Sequence, residues 1–280
     1  MRSVQYLSQG RCAFFIQLEK IYKPPMQIYV CVKHVPDSAA IITILQNNRI
    51  DENVIFLLNP YDEHAVTEAV KIKISLPGSE VIAVCFGQED AEKTLRSAMG
   101  MGADRGVLVV SDAQHESIEI ARVLKAVIAQ DGSPGLIFTG KESIDTNGMQ
   151  TMFRIGALFN FPVATNVVRL NIEREVAIVD SELSGGAVDT YEMSLPCVIG
   201  AGRGLNTPRY PTFPDVVKSK KKLLKKINLE DLDIKTPKSN MSMVQLEPLL
   251  QERKPKEIRG DKGEIAREIT RILKEEAKVI

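Results

Sequence analysis

A regular alternation of short apolar runs with amphipathic stretches, beginning at Met26, constrains this fold more than any other feature. Gln27–Val32 is a β-branched run carrying Tyr29, and similar strands are predicted at Val81–Phe86, Gly106–Val110 and Leu136–Thr139. Between them lie helical patterns. Asn59-Pro60 opens the first, Asn being a strong N-cap and Pro well suited to the first helical position. Ala65, Val66, Ala69 and Val70 give that helix one apolar stripe, and Leu76-Pro77-Gly78 ends it. A second helix is predicted from about Asp90 to Met101 and a third over Glu116–Ala129, where Ile120, Val123, Leu124, Val127 and Ile128 recur at core-facing spacing. Continuous apolar strands joined by helices predict an α/β fold: a mostly parallel, Rossmann-like sheet with helices on both faces. Ligands of such sheets lie outside the carboxyl ends of the strands. That places the candidate site among Cys31–Asp37, the loop ending at Asn59, Phe86–Asp90 and Gly140–Thr151.

After Pro162 the pattern changes. Val163–Leu170, Ala177–Asp180 and Ala187–Met193 read as an antiparallel ribbon attached to the sheet, with Ser184-Gly185-Gly186 as a hairpin turn. Past Pro208 the chain is rich in Pro and Lys, and only Glu264–Val279 recovers helical periodicity, through Ile265, Ile269, Ile272 and Leu273. That amphipathic helix needs either its own domain or a partner subunit to pack on.

Charge and composition remove several function classes. Lys+Arg and Asp+Glu are both 36, Trp is absent and aromatics are 5%, so nothing favours nucleic acid or an anionic membrane surface. No apolar run reaches membrane-spanning length. The four cysteines form no Cys-x-x-Cys pair, and Cys31 and Cys85 sit in apolar runs as small hydrophobes, which suits reduced thiols and gives a metal no cluster. No nucleophile–base constellation is legible, and His34, His64 and His115 read as surface residues. The usual Gly-rich phosphate cradles are missing as well.

What remains is the loop from Gly140 to Thr151, between an apolar strand and a helix, with Asp145 or Asn147 as N-cap. Such a loop presents free N–H groups to an anion. Lys141 can add charge, and Gln150 and Thr151 bring polar groups to the first turn; an ordinary capped loop is the alternative. Asp62 and Glu63, in the first turn after Asn59, satisfy the helix dipole themselves and would repel a phosphate, so this loop is expected to meet a base or sugar. Tyr210-Pro211-Thr212-Phe213-Pro214, followed by Lys218, Lys220, Lys221, Lys222, Lys225 and Lys226, is either a solvated charged helix or a docking loop with Phe213 as an exposed anchor.

Taken in order, Val30–Lys33, Asn59-Pro60, Val81–Val84, Met101–Gly106, Lys141–Thr151 and Leu205–Tyr210 resemble the electron transfer flavoprotein beta subunit, with coverage from Met26 to Ile280. The resemblance implies an adenine-nucleotide-binding domain over residues 26–210 and a recognition loop and C-terminal arm over 211–280; residues 1–25, with no acidic residue before Glu19, read as a disordered extension, a transit peptide being the alternative. It implies an obligate alpha subunit holding the redox FAD, with AMP in this chain, or a second FAD that oxidises NADH in electron-bifurcating members. By position, the nucleotide contacts would be Cys31, Asn59, Pro60, Tyr61, Asp62, Phe86, Lys141, and Asp145, Thr146, Asn147, Gly148, Met149, Gln150, Thr151 and Met152. Phe213 and the lysines would dock flavin dehydrogenases, such as acyl-CoA dehydrogenases of fatty acid beta-oxidation, and electrons would pass to a quinone reductase. The chain itself would be a carrier subunit and not an enzyme, in the cytoplasm of a bacterium or archaeon or in the mitochondrial matrix. Three departures stand out, the first being the family's Asn-Glu-Pro-Arg, which reads Asn206-Thr207-Pro208-Arg209. The family's Asn-Gln-Thr-Gly reads Met149-Gln150-Thr151-Met152, which leaves AMP and FAD both open, and Ser38 replaces a Tyr that some members place beside the alpha-subunit flavin.

Overall fold

The computed structural model describes residues 25–45, 49–51, 53–113, 115–234, 244–248 and 255–280. All but the last residue of the expected extension over 1–25 therefore lies outside the described residues. The chain divides into two compact units, Met1–Thr43 with Asp51–Ser242, and Ile44–Ile50 with Met243–Ile280.

The larger unit is a nine-stranded sheet. Its predicted strands are β1 (Gln27–Val32), β4 (Glu80–Gly87), β5 (Arg105–Val110) and β6 (Pro134–Gly140). β2 (His34–Pro36) and β3 (Phe56–Leu58) make a separate antiparallel pair. The ribbon expected after Pro162 is β7 (Val163–Glu173), β8 (Val176–Glu182) and β9 (Val188–Ser194), with Gly185 and Gly186 at positive φ in the turn. β2 and β3 fall where the sequence predicts loop, and two strands of the large sheet were not legible either: β10 (Cys197–Ala201) and β11 (Leu224–Asn228). The order is β11-β5-β4-β1-β6-β10-β7-β8-β9, parallel as far as β7 and antiparallel beyond it. β11 lies within the lysine-rich run, so Lys225 and Lys226 belong to an edge strand beside β5. Charged side chains on an edge discourage further strand pairing.

Alternation along the strands sorts side chains onto two faces. Ile28, Val30, Val81, Ala83, Leu136 and Phe138 pack under α1 (Pro60–Ser75) and α2 (Glu92–Met101). Tyr29, Cys31, Ile82, Val84 and Ile137 pack under α3 (Ser117–Asp131) and α4 (Thr151–Phe159). The expected α/β sheet with helices on both faces is the observed one. The smaller unit contains α6 (Lys262–Arg271), capped by the Asp261 carboxylate, which accepts from the Gly263 and Glu264 N–H groups at 2.8 and 2.9 Å. None of its residues is buried.

α4 sets one wall of the candidate site, and its seat depends on a missing side chain. A Cβ at Gly156 would overlap Val163 Cγ2 of β7 and lie 3.1 Å from the Phe161 carbonyl. Gly156→Ala gains about 1 kcal/mol of helix propensity but forces an overpacked contact costing about 1–3 kcal/mol. Net destabilisation is expected in urea unfolding; a more stable variant would show that α4 can retreat from β7.

Candidate functional site

The carboxyl ends of β1, β4 and β6 open into a cavity of about 310 Å³. Its base is held together by the first turn of α1. The Asp62 carboxylate accepts the Lys33 N–H at the end of β1 (2.7 Å) and the Gly140 N–H at the end of β6 (2.8 Å). Asn59 acts on the next loop: its Nδ2 donates to the Glu142 carbonyl (2.9 Å) and its Oδ1 accepts from the Ile144 N–H (3.2 Å). Gly140 is required here, since a Cβ would meet Asp62 Oδ1 at 2.5 Å and Tyr61 Cβ at 2.6 Å. From β1, Lys33 Nζ reaches Asp145 (2.6 Å) and Ser143 Oγ (3.3 Å), tying the same loop down.

These contacts revise several sequence expectations. Asn59 occupies the N-cap position of α1, but its side chain makes no capping bond because it is engaged with the 142–144 backbone. Asp62 is buried and faces two strand ends, so its role is to clamp them more than to balance a helix dipole. Neither Asp145 nor Asn147 caps α4. The helix begins at Thr151 after Gln150, Asp145 is drawn to Lys33, and Asn147 sits in the left-handed region at φ 48°. Met149 shares that conformation at φ 49°, which a long unbranched side chain seldom adopts. The Lys141 ammonium lies 5.2 Å from the Tyr61 ring centroid and 3.5 Å from Glu142.

Of the residues singled out in the sequence, Cys31, Asn59, Asp62, Phe86, Lys141, Thr146, Gly148, Met149, Gln150, Thr151 and Met152 line the cavity. Pro60, Tyr61, Asp145 and Asn147 do not; they sit behind its wall or in the loop that closes it. Five wall residues escaped the sequence reading: Thr139, His115, Ser117, Ile120 and Leu124. The last two were visible only as a core stripe. His115, expected at the surface, packs on Phe86 with ring centroids 4.9 Å apart. It is drawn inward by Ser111 Oγ, 2.8 Å from its Nε2, and by the Glu119 carboxylate.

The cavity is chemically graded. Toward β4 and α3 its wall is Phe86, Ile120 and Leu124 with His115 and Ser117; toward β6 it is Lys33, Ser143, Thr146 and the start of α4, with Met149 and Met152. The first N–H groups of a helix have no intrahelical acceptor, so the Thr151 end of α4 suits an anion. A flat apolar group at one end and a phosphate at the other fit these walls. Phe213 and the lysines are elsewhere. Phe213 begins the short helix α5 (Phe213–Ser219) and is 80% exposed, and Lys218, Lys220 and Lys221 are exposed beside it.

Burial pushes the Asp62 carboxyl up to about 7, against the bonds from Lys33, Asn59 and Gly140 that favour its charged form. The folded protein therefore holds this proton at a pH where an unfolded Asp, near 3.9, has lost it. Its stabilising contribution is full below about pH 4 and disappears as pH rises through about 7. Asp62→Asn should flatten the fall in stability between those limits, measured by urea unfolding across pH. It should also leave one backbone N–H without an acceptor, costing about 1–3 kcal/mol. An unchanged pH profile would show that Asp62 does not titrate in that window.

Comparison with known proteins agrees with this architecture. Residues 49–232 match the family described as electron transfer flavoprotein domain. The chain is 35% identical over 262 residues to the mitochondrial electron transfer flavoprotein subunit beta of Oryza sativa subsp. japonica, covering 91% of this chain and 100% of the relative. It is 34% identical over 260 residues to the electron transfer flavoprotein subunit beta of Bacillus subtilis, covering 91% and 100%. The corresponding subunit of Mus musculus is 33% identical over 260 residues, covering 91% and 99%. With that identity sustained along nearly the whole of each relative, the chain belongs to the electron transfer flavoprotein beta subunit family.

Proposed function

We propose that this chain seats AMP in the cavity above β1, β4 and β6 and works as the beta half of an electron-carrying heterodimer. The observation that carries the reading is the graded cavity. Apolar walls toward β4 suit an adenine ring, while the polar loop of 141–151 and the first turn of α4 suit one phosphate. A volume of about 310 Å³ lies at the lower end of ligand pockets, which favours a mononucleotide over a dinucleotide. Lys33, Asn59 and Asp62 would hold the loop in shape around the ligand without supplying chemistry themselves.

The alpha subunit would carry FAD, the group that accepts and releases electrons. Donors would be flavin dehydrogenases, acyl-CoA dehydrogenases among them, and the acceptor a quinone reductase. Two surfaces of this chain support such pairings. Phe213 stands exposed with Tyr210, Val216 and Val217 close in sequence and also exposed, next to exposed lysines, a form that fits an apolar socket with an acidic rim. The stripe of Ile265, Ile269, Ile272 and Leu273 on α6 and the turn after it has no fully buried member, as suits a helix that docks on another subunit. Among the described residues no helix is long and apolar enough to cross a membrane.

A second reading places FAD in this chain's cavity and makes the complex an NADH-oxidising, bifurcating one. Met149 and Met152 favour it by replacing the family's Asn and Gly with apolar side chains on the phosphate side. Nucleotide content separates the two. Purified with its alpha subunit and denatured, the complex should release one FAD and one AMP. Two FAD, with flavin bleached by NADH, would establish the second reading. Phe213→Ala should lower the rate of electron transfer from a donor dehydrogenase about tenfold or more, the effect of losing an interface anchor, with FAD content unchanged. Undiminished transfer would remove Phe213 from the docking surface.

A further inference from the structure

We propose that His115, together with Phe86, forms an aromatic corner that receives the base of the bound nucleotide, making His115 a specificity-determining residue of this site. The proposal rests on the adenylate reading above and adds a residue and an orientation to it.

The orientation follows from the sheet. β4 and β6 flank β1 on opposite sides, so the cavity runs across two strand spacings, roughly 10 Å. Its β6 end carries Lys33 and the first turn of α4, where a phosphate is favoured. The base is thereby directed to the β4 end, where the wall is apolar and aromatic. Phe86 leaves the end of β4, and the His115 ring packs on it at an interplanar angle of 53°. Two rings at that angle enclose a corner, one offering a face and the other an edge to a third flat ring.

His115 is held in the wall through its ring nitrogens. Its Nε2 is 2.8 Å from Ser111 Oγ, at the end of β5, and its Nδ1 is 3.4 Å from Glu119 Oε2. Glu119 is buried and fixed in turn, accepting the Glu116 N–H at 3.1 Å as part of the capping box of α3. Both ring nitrogens are thus directed at protein groups, and what remains for the ligand is the ring itself. Its side chain is 14% exposed and is part of the cavity wall. The arrangement favours a large flat base over a small one, because a purine can reach both rings.

The test uses the full chain purified with its alpha subunit, freed of nucleotide and titrated with AMP and CMP by calorimetry. His115→Phe keeps a ring without hydrogen bonds; His115→Gln keeps hydrogen bonding without a ring. The Phe variant should bind AMP nearly as wild type. The Gln and Ala variants should bind it about tenfold or more weakly, the scale of one lost stacking partner, with a smaller preference for AMP over CMP. Equal affinity in all three variants, or the reverse order with Gln intact and Phe impaired, would overturn the assignment while leaving the adenylate reading in place. Failure of the wild-type complex to bind AMP would overturn both. Circular dichroism of each variant separates lost binding from lost folding, and the Phe variant supplies the folded reference.

Discussion

The cavity exists because one buried carboxylate faces two strands at once. Asp62 comes from the first turn of α1, yet its oxygens are spent on the N–H groups of Lys33 and Gly140, beyond the point where β1 and β6 pair with each other. A buried backbone N–H without an acceptor costs about as much as a lost hydrogen bond. Two such groups meet at one point here, and a single bifunctional acceptor satisfies both. The cost is a charged group in a dry place, which is why its carboxyl titrates far above the usual range. Asn59, one turn earlier, repeats the device with an amide, donating to one backbone group and accepting from another. Between them these two side chains convert the start of a helix into a clamp on the loop that borders the cavity.

Much of the sheet was legible in the sequence because buried parallel strands are uniformly apolar and their helices carry a strong stripe. The ends of Gln27–Val32 and the onset of α1 at Pro60 coincide with the expectation. β10 escaped because five apolar residues between turns have no period to distinguish strand from core loop. β11 escaped for the opposite reason: Lys225 and Lys226 read as solvent, and only the pairing with β5 makes them part of a sheet. The site was legible at the level of loops but not of bonds. Asn59 and Asp62 look like ordinary helix-start residues, and nothing local says that their partners lie 29 to 85 residues away. His115 was the hardest to see. Its partner Phe86 is on β4 while His115 lies in the loop after β5, so the corner they form is a property of strand order.

The departures from the family pattern at Met149 and Met152 fall on one side of the cavity. Met149 and Met152 lie on the α4 side, whereas Lys33, Asn59 and Asp62 hold the loop from beneath. Substitution at the rim changes the wall of the cavity, while the clamp below keeps the loop in place. Met149 shows the strain of that arrangement, sitting at a positive φ that Asn or Gly would adopt more readily.

A similar division governs the exposed segment at Phe213. A seven-residue helix cannot hold its own shape in water, and an aromatic ring left 80% exposed gives it no burial to draw on. Its order is supplied from below. Arg96 of α2 donates to the Ser219 and Lys222 carbonyls, both at 2.9 Å, and Lys222 Nζ donates to the Met99 and Ala103 carbonyls at 2.8 and 2.6 Å. Thr212 and Asp215 close the other end in a capping box. The segment is therefore preorganised through its polar groups, and its apolar ones remain outward. A surface arranged this way loses little conformational entropy when a partner covers it, so the free energy of burying Phe213 is available for docking rather than for ordering the loop.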